Sequence, residues 1–139
     1  MSIFHKNIGL YSGLAIADYF IEKSLQDGSE LTNMSVLKMI FFAQGFGFAD
    51  LKLQLIKDDF YAWPWGPVEI NTYKTFKKYG GRKIESISNE TQTELNDIKS
   101  KSNIIEFLDS AYELKEINPF QCFKSIHNCA NYFYSILYN

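Results

Sequence analysis

Cysteine, histidine and proline are all scarce in this chain: its 139 residues hold two Cys, two His and three Pro. Two cysteines exclude a disulfide framework. Cys122 and Cys129 are seven residues apart, which on one helix leaves their Cα atoms roughly 10 Å from each other, beyond disulfide reach. Free thiols in a reducing compartment are therefore expected. Cys122, His127 and Cys129 have the residue types of a metal site. On one helix, however, His127 points away from the face the cysteines share, and no fourth ligand is evident, so core cysteines are the better reading and no metal is expected. His5 stands near the N-terminus with no identifiable partner.

Long apolar runs are missing too. None approaches the roughly 20 residues needed to span a bilayer, and Met1-Ser2-Ile3-Phe4-His5-Lys6 is no signal-peptide start. A cytoplasmic protein with no membrane partner is expected. A formal charge of −2 and a pI near 5.7 give no global attraction to phosphate backbones.

Catalytic motifs are equally sparse. There is no GxxxxGK[ST], HExxH or GxSxG, and Gly45-Phe46-Gly47 is a lone GxG on a helix end without the strand and third glycine of a dinucleotide site. Asp58 and Asp59 sit in an expected turn, where a solvated pair outweighs an acid/base pair. The inventory argues against an enzyme and implies no cofactor.

What the chain does have is aromatic mass, 17% of residues with 12 Phe and 9 Tyr, of the kind that fills cores and anchors interfaces. Its length suits one domain over residues 1–139. A first helix is expected from about Ser12 to Gln26, with Leu14, Ala17, Ile21 and Leu25 on one face, Ser12 as N-cap and Gly28 as left-handed stop. Thr32 caps a second helix, with Leu31 and Val36 as its staple. From Met34 to Phe48 apolar residues fall on nearly every side, so this helix should be central and buried. Lys38 and Gln44, almost its only long polar side chains, each need a partner or a path to water.

Leu53 and Leu55 alternate with polar residues before Lys57-Asp58-Asp59 and Phe60-Tyr61-Ala62, which predicts a short hairpin over 51–62. Trp63-Pro64-Trp65-Gly66-Pro67 must be a fixed turn, because each proline removes a donor and restrains the residue before it. Pro67 suits the start of a helix over Val68–Tyr79, ended by Gly80-Gly81. The polar stretch Gly80–Asn103 reads as a linker inside one domain. Ile104, Ile105, Leu108, Ala111, Tyr112 and Leu114 mark a further amphipathic helix, with a start open as far back as Ser88–Leu95. Asn118-Pro119 opens a last helix carrying Phe123, Ile126, Ala130, Phe133 and Leu137, which should pack into the core.

Two local features point to function. Lys74, Lys77, Lys78, Arg82 and Lys83 lie within ten residues with no acid among them, leaving nine cations against 16 acids elsewhere. That patch suits a nucleic acid, an acidic protein surface or a solvated helix end. The turn at 63–67 gathers both tryptophans and two of the three prolines into a rigid aromatic surface that loses little entropy on binding.

Several blocks occur in a specific order: Ala17-Asp18-Tyr19-Phe20-Ile21, Leu31-Thr32-Asn33 leading to Lys38, Phe41-Phe42-Ala43-Gln44-Gly45, Ala62 to Val68, and Tyr73, Phe76 and Lys77-Lys78-Tyr79-Gly80. Together, over roughly Leu14 to Tyr79, they resemble the Panacea domain family of SocA-like, phage-associated antitoxins. The chain departs from that pattern at Leu37, usually polar, and at Ile126-His127, followed here by Asn128-Cys129-Ala130 in place of Pro-Trp. The resemblance implies a compact, mostly α domain around a central buried helix with one short β-hairpin. It also implies an antitoxin that binds and neutralises a cognate toxin protein, or presents it to a protease. Within that reading Lys38, Trp65, Pro67, Glu69 and Tyr73 are the candidate partner contacts, and Thr32, Trp63 and Gly66 are structural. The alternative is a nucleic-acid-binding regulator working through the Lys74 to Lys83 patch.

Overall fold

The fold is given by a computed structural model that describes residues 9–113. The expected C-terminal helix from Pro119, with Cys122, His127 and Cys129, and His5 near the N-terminus lie outside the described residues.

Helix α1 spans Gly13–Asp27, opened by the Ser12 hydroxyl accepting from Ala15 N–H and closed by Gly28 at φ 78°. Both ends follow from local chemistry: a short hydroxyl side chain satisfies an orphan donor, and glycine enters the left-handed region without a Cβ penalty. Leu25 departs from the expected inner face and is exposed. Helix α2 spans Asn33–Phe46, capped by Thr32, whose hydroxyl accepts from Ser35 N–H. It continues as a π-helical turn over Gly47–Leu51.

Helix α2 packs against α1 and against the hairpin and helices introduced below, which makes it the central element. Its Asn33–Leu51 stretch is 19 residues with a mean hydropathy of 1.2, long and apolar enough by those measures to cross a membrane. Counting uninterrupted apolar runs passes over this helix because Ser35, Lys38 and Gln44 interrupt it. Burial accounts for its composition: Val36, Leu37, Ile40 and Ala43 are fully enclosed. Gln44 finds its partner inside, donating to the Ile56 carbonyl at 2.9 Å and accepting from Ile56 N–H at 2.7 Å.

The hairpin lies later than the alternation at Leu53 and Leu55 predicts. Residues 54–57 instead run alongside 10–11, with an isolated parallel bridge between Tyr11 and Ile56. The two strands are β1 (Tyr61–Trp63) and β2 (Gly66–Val68), antiparallel, with Trp63 opposite Gly66. The rigid turn is thus the hairpin loop itself, Pro64-Trp65. Pro67 sits in β2 and does not start a helix. Helix α3 spans Ile70–Phe76, and its N-cap is Glu69. A 3₁₀ turn over Lys77–Tyr79 follows, ending at Gly80 with φ 57°.

The polar stretch after Gly80 is no linker. Ile84 is buried and its N–H bonds to the Leu31 carbonyl. Within the stretch lies α4 (Gln92–Lys99), which buries Leu95 and Ile98, and a break at 100–101 separates it from α5 (Ser102–Glu113). Asp18, wholly buried on α1, accepts from Ser88 N–H, from the Ser88 hydroxyl and from the Thr91 hydroxyl at 2.7 Å. Three phenols staple the same side: Tyr11 donates to Asp97, Tyr19 to Asp109 and Tyr112 to Asp27. The fold is mostly α with one two-stranded hairpin.

Candidate functional site

The hairpin loop presents one indole and holds the other. Trp65, at 50% the most exposed of the large hydrophobic side chains among the described residues, stands at the tip. Trp63 is half-buried against the core and meets Trp65 edge-to-face at 5.7 Å and Tyr73 edge-to-face at 5.1 Å. It is less enclosed than a core indole, and its role is to fix the two rings on either side of it. Gly66 adopts φ 130°, and a Cβ there would meet nothing within 4 Å. The demand for glycine is conformational, since that region of φ is closed to side chains bearing a Cβ.

Beside the loop is a cleft of about 350 Å³ lined by Asn33, Met34, Trp65, Tyr73, Lys77 and Gly80. Its walls come from the first turn of α2, the hairpin tip and the α3 end, elements brought together by the packing of β2 and α3 on α2. The Lys77 ammonium lies 5.9 Å from the centre of the Tyr73 ring, within cation–π range. Asn33 is 4% exposed, and its Nδ2 donates to the Tyr73 carbonyl at 3.1 Å. Its Oδ1 is buried and, among the described residues, has no hydrogen-bond partner. Buried acceptors are nearly always paired, so this oxygen stands out.

Of the residues marked out by sequence, Trp65 and Tyr73 share the cleft. Lys38, half-buried one turn beyond Met34, does not line it. Pro67 is half-buried in β2, opposite Ala62. Glu69 is not presented at the surface: it is 2% exposed and caps α3, accepting from Asn71 and Thr72 N–H at 2.9 Å and from the Thr72 hydroxyl. Burial pushes its carboxyl above the ordinary value, the bonds from Thr72 and Asn71 pull it back, and nearby Asp58 raises it further. Its side chain also lies where a Cβ on Gly13 would come within 2.8 Å, so α1 starts on a glycine to let the two elements meet. Asn33, Met34 and Gly80 are cleft residues that sequence reasoning did not single out as contacts. An amide at the first position of an apolar helix was the available signal.

The cationic patch flanks the cleft. Lys74, Lys77, Lys78, Arg82 and Lys83 are all exposed, and among the described residues none forms an ion pair. The Arg82 guanidinium donates to the Lys78 and Tyr79 carbonyls, closing the 3₁₀ turn. No cluster of His, Cys, Asp and Glu suited to a metal occurs among the described residues.

No curated protein and no solved structure matches the chain. A family model does match, that of the antitoxin SocA-like, Panacea domain, over residues 36–127. The match takes in the hairpin, both tryptophans, α3, the cationic patch and α4 and α5, and starts just after Asn33 and Met34. Covering well over half of the sequence, it settles the family: the chain belongs to the SocA-like antitoxins of the Panacea domain type.

Proposed function

We propose that this protein neutralises its toxin by binding it directly through the face formed by the hairpin tip and α3. Family membership supports an antitoxin role and a toxin partner in general terms. The observation that carries the finer reading is Trp65, half-exposed on a loop stiffened by Pro64 and held edge-on by Trp63. A large ring fixed in advance gives up little conformational freedom when a partner covers it, which is how interface hot spots arise. No step of this function needs catalysis, and binding without chemistry is part of the proposal.

Co-expression tests it. The full chain should restore growth to cells expressing the toxic product of its neighbouring gene, and the two proteins should co-purify in equimolar amounts without a protease. Rescue that disappears in protease-deficient cells would replace direct neutralisation with delivery of the toxin for degradation.

The second reading, a nucleic-acid-binding regulator, is favoured by one observation: five exposed cations between Lys74 and Lys83 without a paired acid. On a chain of net charge −2 that patch should give salt-sensitive, sequence-independent association. Sequence-selective binding to its own promoter at physiological salt, lost in a Lys77→Glu, Lys78→Glu variant, would put the regulator first.

A further inference from the structure

We infer that the cleft between α2, the hairpin tip and α3 receives an acidic peptide segment of the partner, which seats an apolar side chain on Trp65, Tyr73 and Met34 and places a carboxylate at Lys77. This deepens the proposed binding role and rests on it.

Three observations converge. The cleft is walled by Met34, Tyr73 and the exposed Trp65, a surface suited to one aromatic or branched side chain. Its lining carries a single charge, the Lys77 ammonium, with Lys74, Lys78, Arg82 and Lys83 on the same chain segment and no acid from Ile70 to Ile84. An occupant with carboxylates on either side of its apolar residue meets complementary charge there, and a basic one is repelled. Finally, Asn33 lines the cleft with its side chain held by a bond to the Tyr73 carbonyl, and its Oδ1 is buried with no partner among the described residues. A small opening of the lining on binding would let an N–H of the occupant reach this oxygen and offset a desolvation cost already incurred.

Charge also separates the partner from residues 1–8 and 114–139 as the occupant. Residues 1–8 contain no acid, and residues 114–139 contain Glu116 against Lys115 and Lys124. Residues 1–8 offer no side-chain carboxylate to Lys77, and the one in residues 114–139 is outweighed by two lysines.

The test uses the full-length protein and short random peptides displayed on phage, followed by synthetic versions of the enriched sequences measured by fluorescence anisotropy. Expected is enrichment of an aromatic or branched residue flanked by Asp or Glu. Binding should weaken by about tenfold or more in Trp65→Ala, and a Lys77→Glu variant should shift the preference towards Lys-flanked peptides, a reversal that a purely structural role for Lys77 cannot produce. Enrichment without charge preference would overturn the inference, as would acidic peptides that bind both variants as they bind the parent. So would single-stranded oligonucleotides that bind in place of peptides and are lost in the same variants. Rescue from the neighbouring toxin keeps the two levels apart. A parent chain that fails to rescue refutes the antitoxin reading, whereas rescue that survives in both Trp65→Ala and Lys77→Glu refutes the cleft alone.

Discussion

The two sides of this domain treat polar groups in opposite ways. On the side where α1 meets α4 and α5, polar groups are closed into pairs. Asp18 takes three donors from 88 and 91, Ser12 and Gly13 N–H are held by Glu94 and Asp58, and three phenols end on three aspartates. On the side where the hairpin meets α2 and α3, the Asn33 oxygen is unpaired, an indole stands in solvent and five cations lack an acid among the described residues. A buried polar group costs free energy unless it is satisfied, so a satisfied network identifies the part of the fold that holds shape. The side left unsatisfied is the one with something to gain from a partner.

Substitutions can break that contrast, and the largest effect is expected at Asp18. Asp18→Ala leaves the Ser88 N–H and two hydroxyls without their acceptor and should cost about 3 kcal/mol or more, read as a fall in the urea midpoint. A variant as stable as the parent would mean that the loop before α4 is held by apolar contacts alone. Next comes Gly66→Ala. With φ at 130° and open space around the site, the loss of about 1–3 kcal/mol should be purely conformational. Gly66→D-Ala, made by chemical ligation, should recover most of it.

The phenol staples sharpen the comparison through pH. Burial, then the bond to Asp27, raises the Tyr112 hydroxyl from its ordinary 10.0 to about 12, and Tyr11 and Tyr19 are also raised by burial and by their aspartates. The folded protein therefore keeps a proton on Tyr112 that the unfolded chain releases near pH 10. Between those values the native state binds more protons, so stability is fully present below pH 10 and falls as pH rises towards 12. Chemical denaturation across that interval should show a shallower decline in Tyr112→Phe than in the parent.

Smallest of all is the stability effect expected at Trp65. Trp65→Ala should change the folding free energy by no more than about 0.5 kcal/mol and still abolish rescue from the toxin. If the variant unfolds, the two sides of the domain are not separable and the hairpin tip is scaffold.

Where the chemistry is local, the sequence is a good guide. Ser12, Thr32 and Gly28 end their helices where short hydroxyl side chains and a glycine must end them. The run from Met34 to Phe48 declares a helix with no face left for water. The 63–67 turn is legible because proline and glycine restrict the backbone directly. Partners far apart in the chain are not legible in this way. Nothing near Leu53 and Leu55 says that this stretch lies beside Tyr11 instead of folding back on itself. Glu69 reads as an exposed acid near a proline until Gly13 packs against it, and the polar residues from Gly80 onward read as a linker until Asp18 gathers Ser88 and Thr91.

The sequence by itself determined the helical class, the caps, the central helix and the rigid aromatic turn, because each depends on backbone preferences and apolar spacing within a few residues. Only the tertiary structure decided which polar groups are spent and which remain. Whether Asn33 or Gln44 is satisfied depends on donors and acceptors 12 to 40 residues away. A cleft between α2 and α3 exists only once those helices have packed.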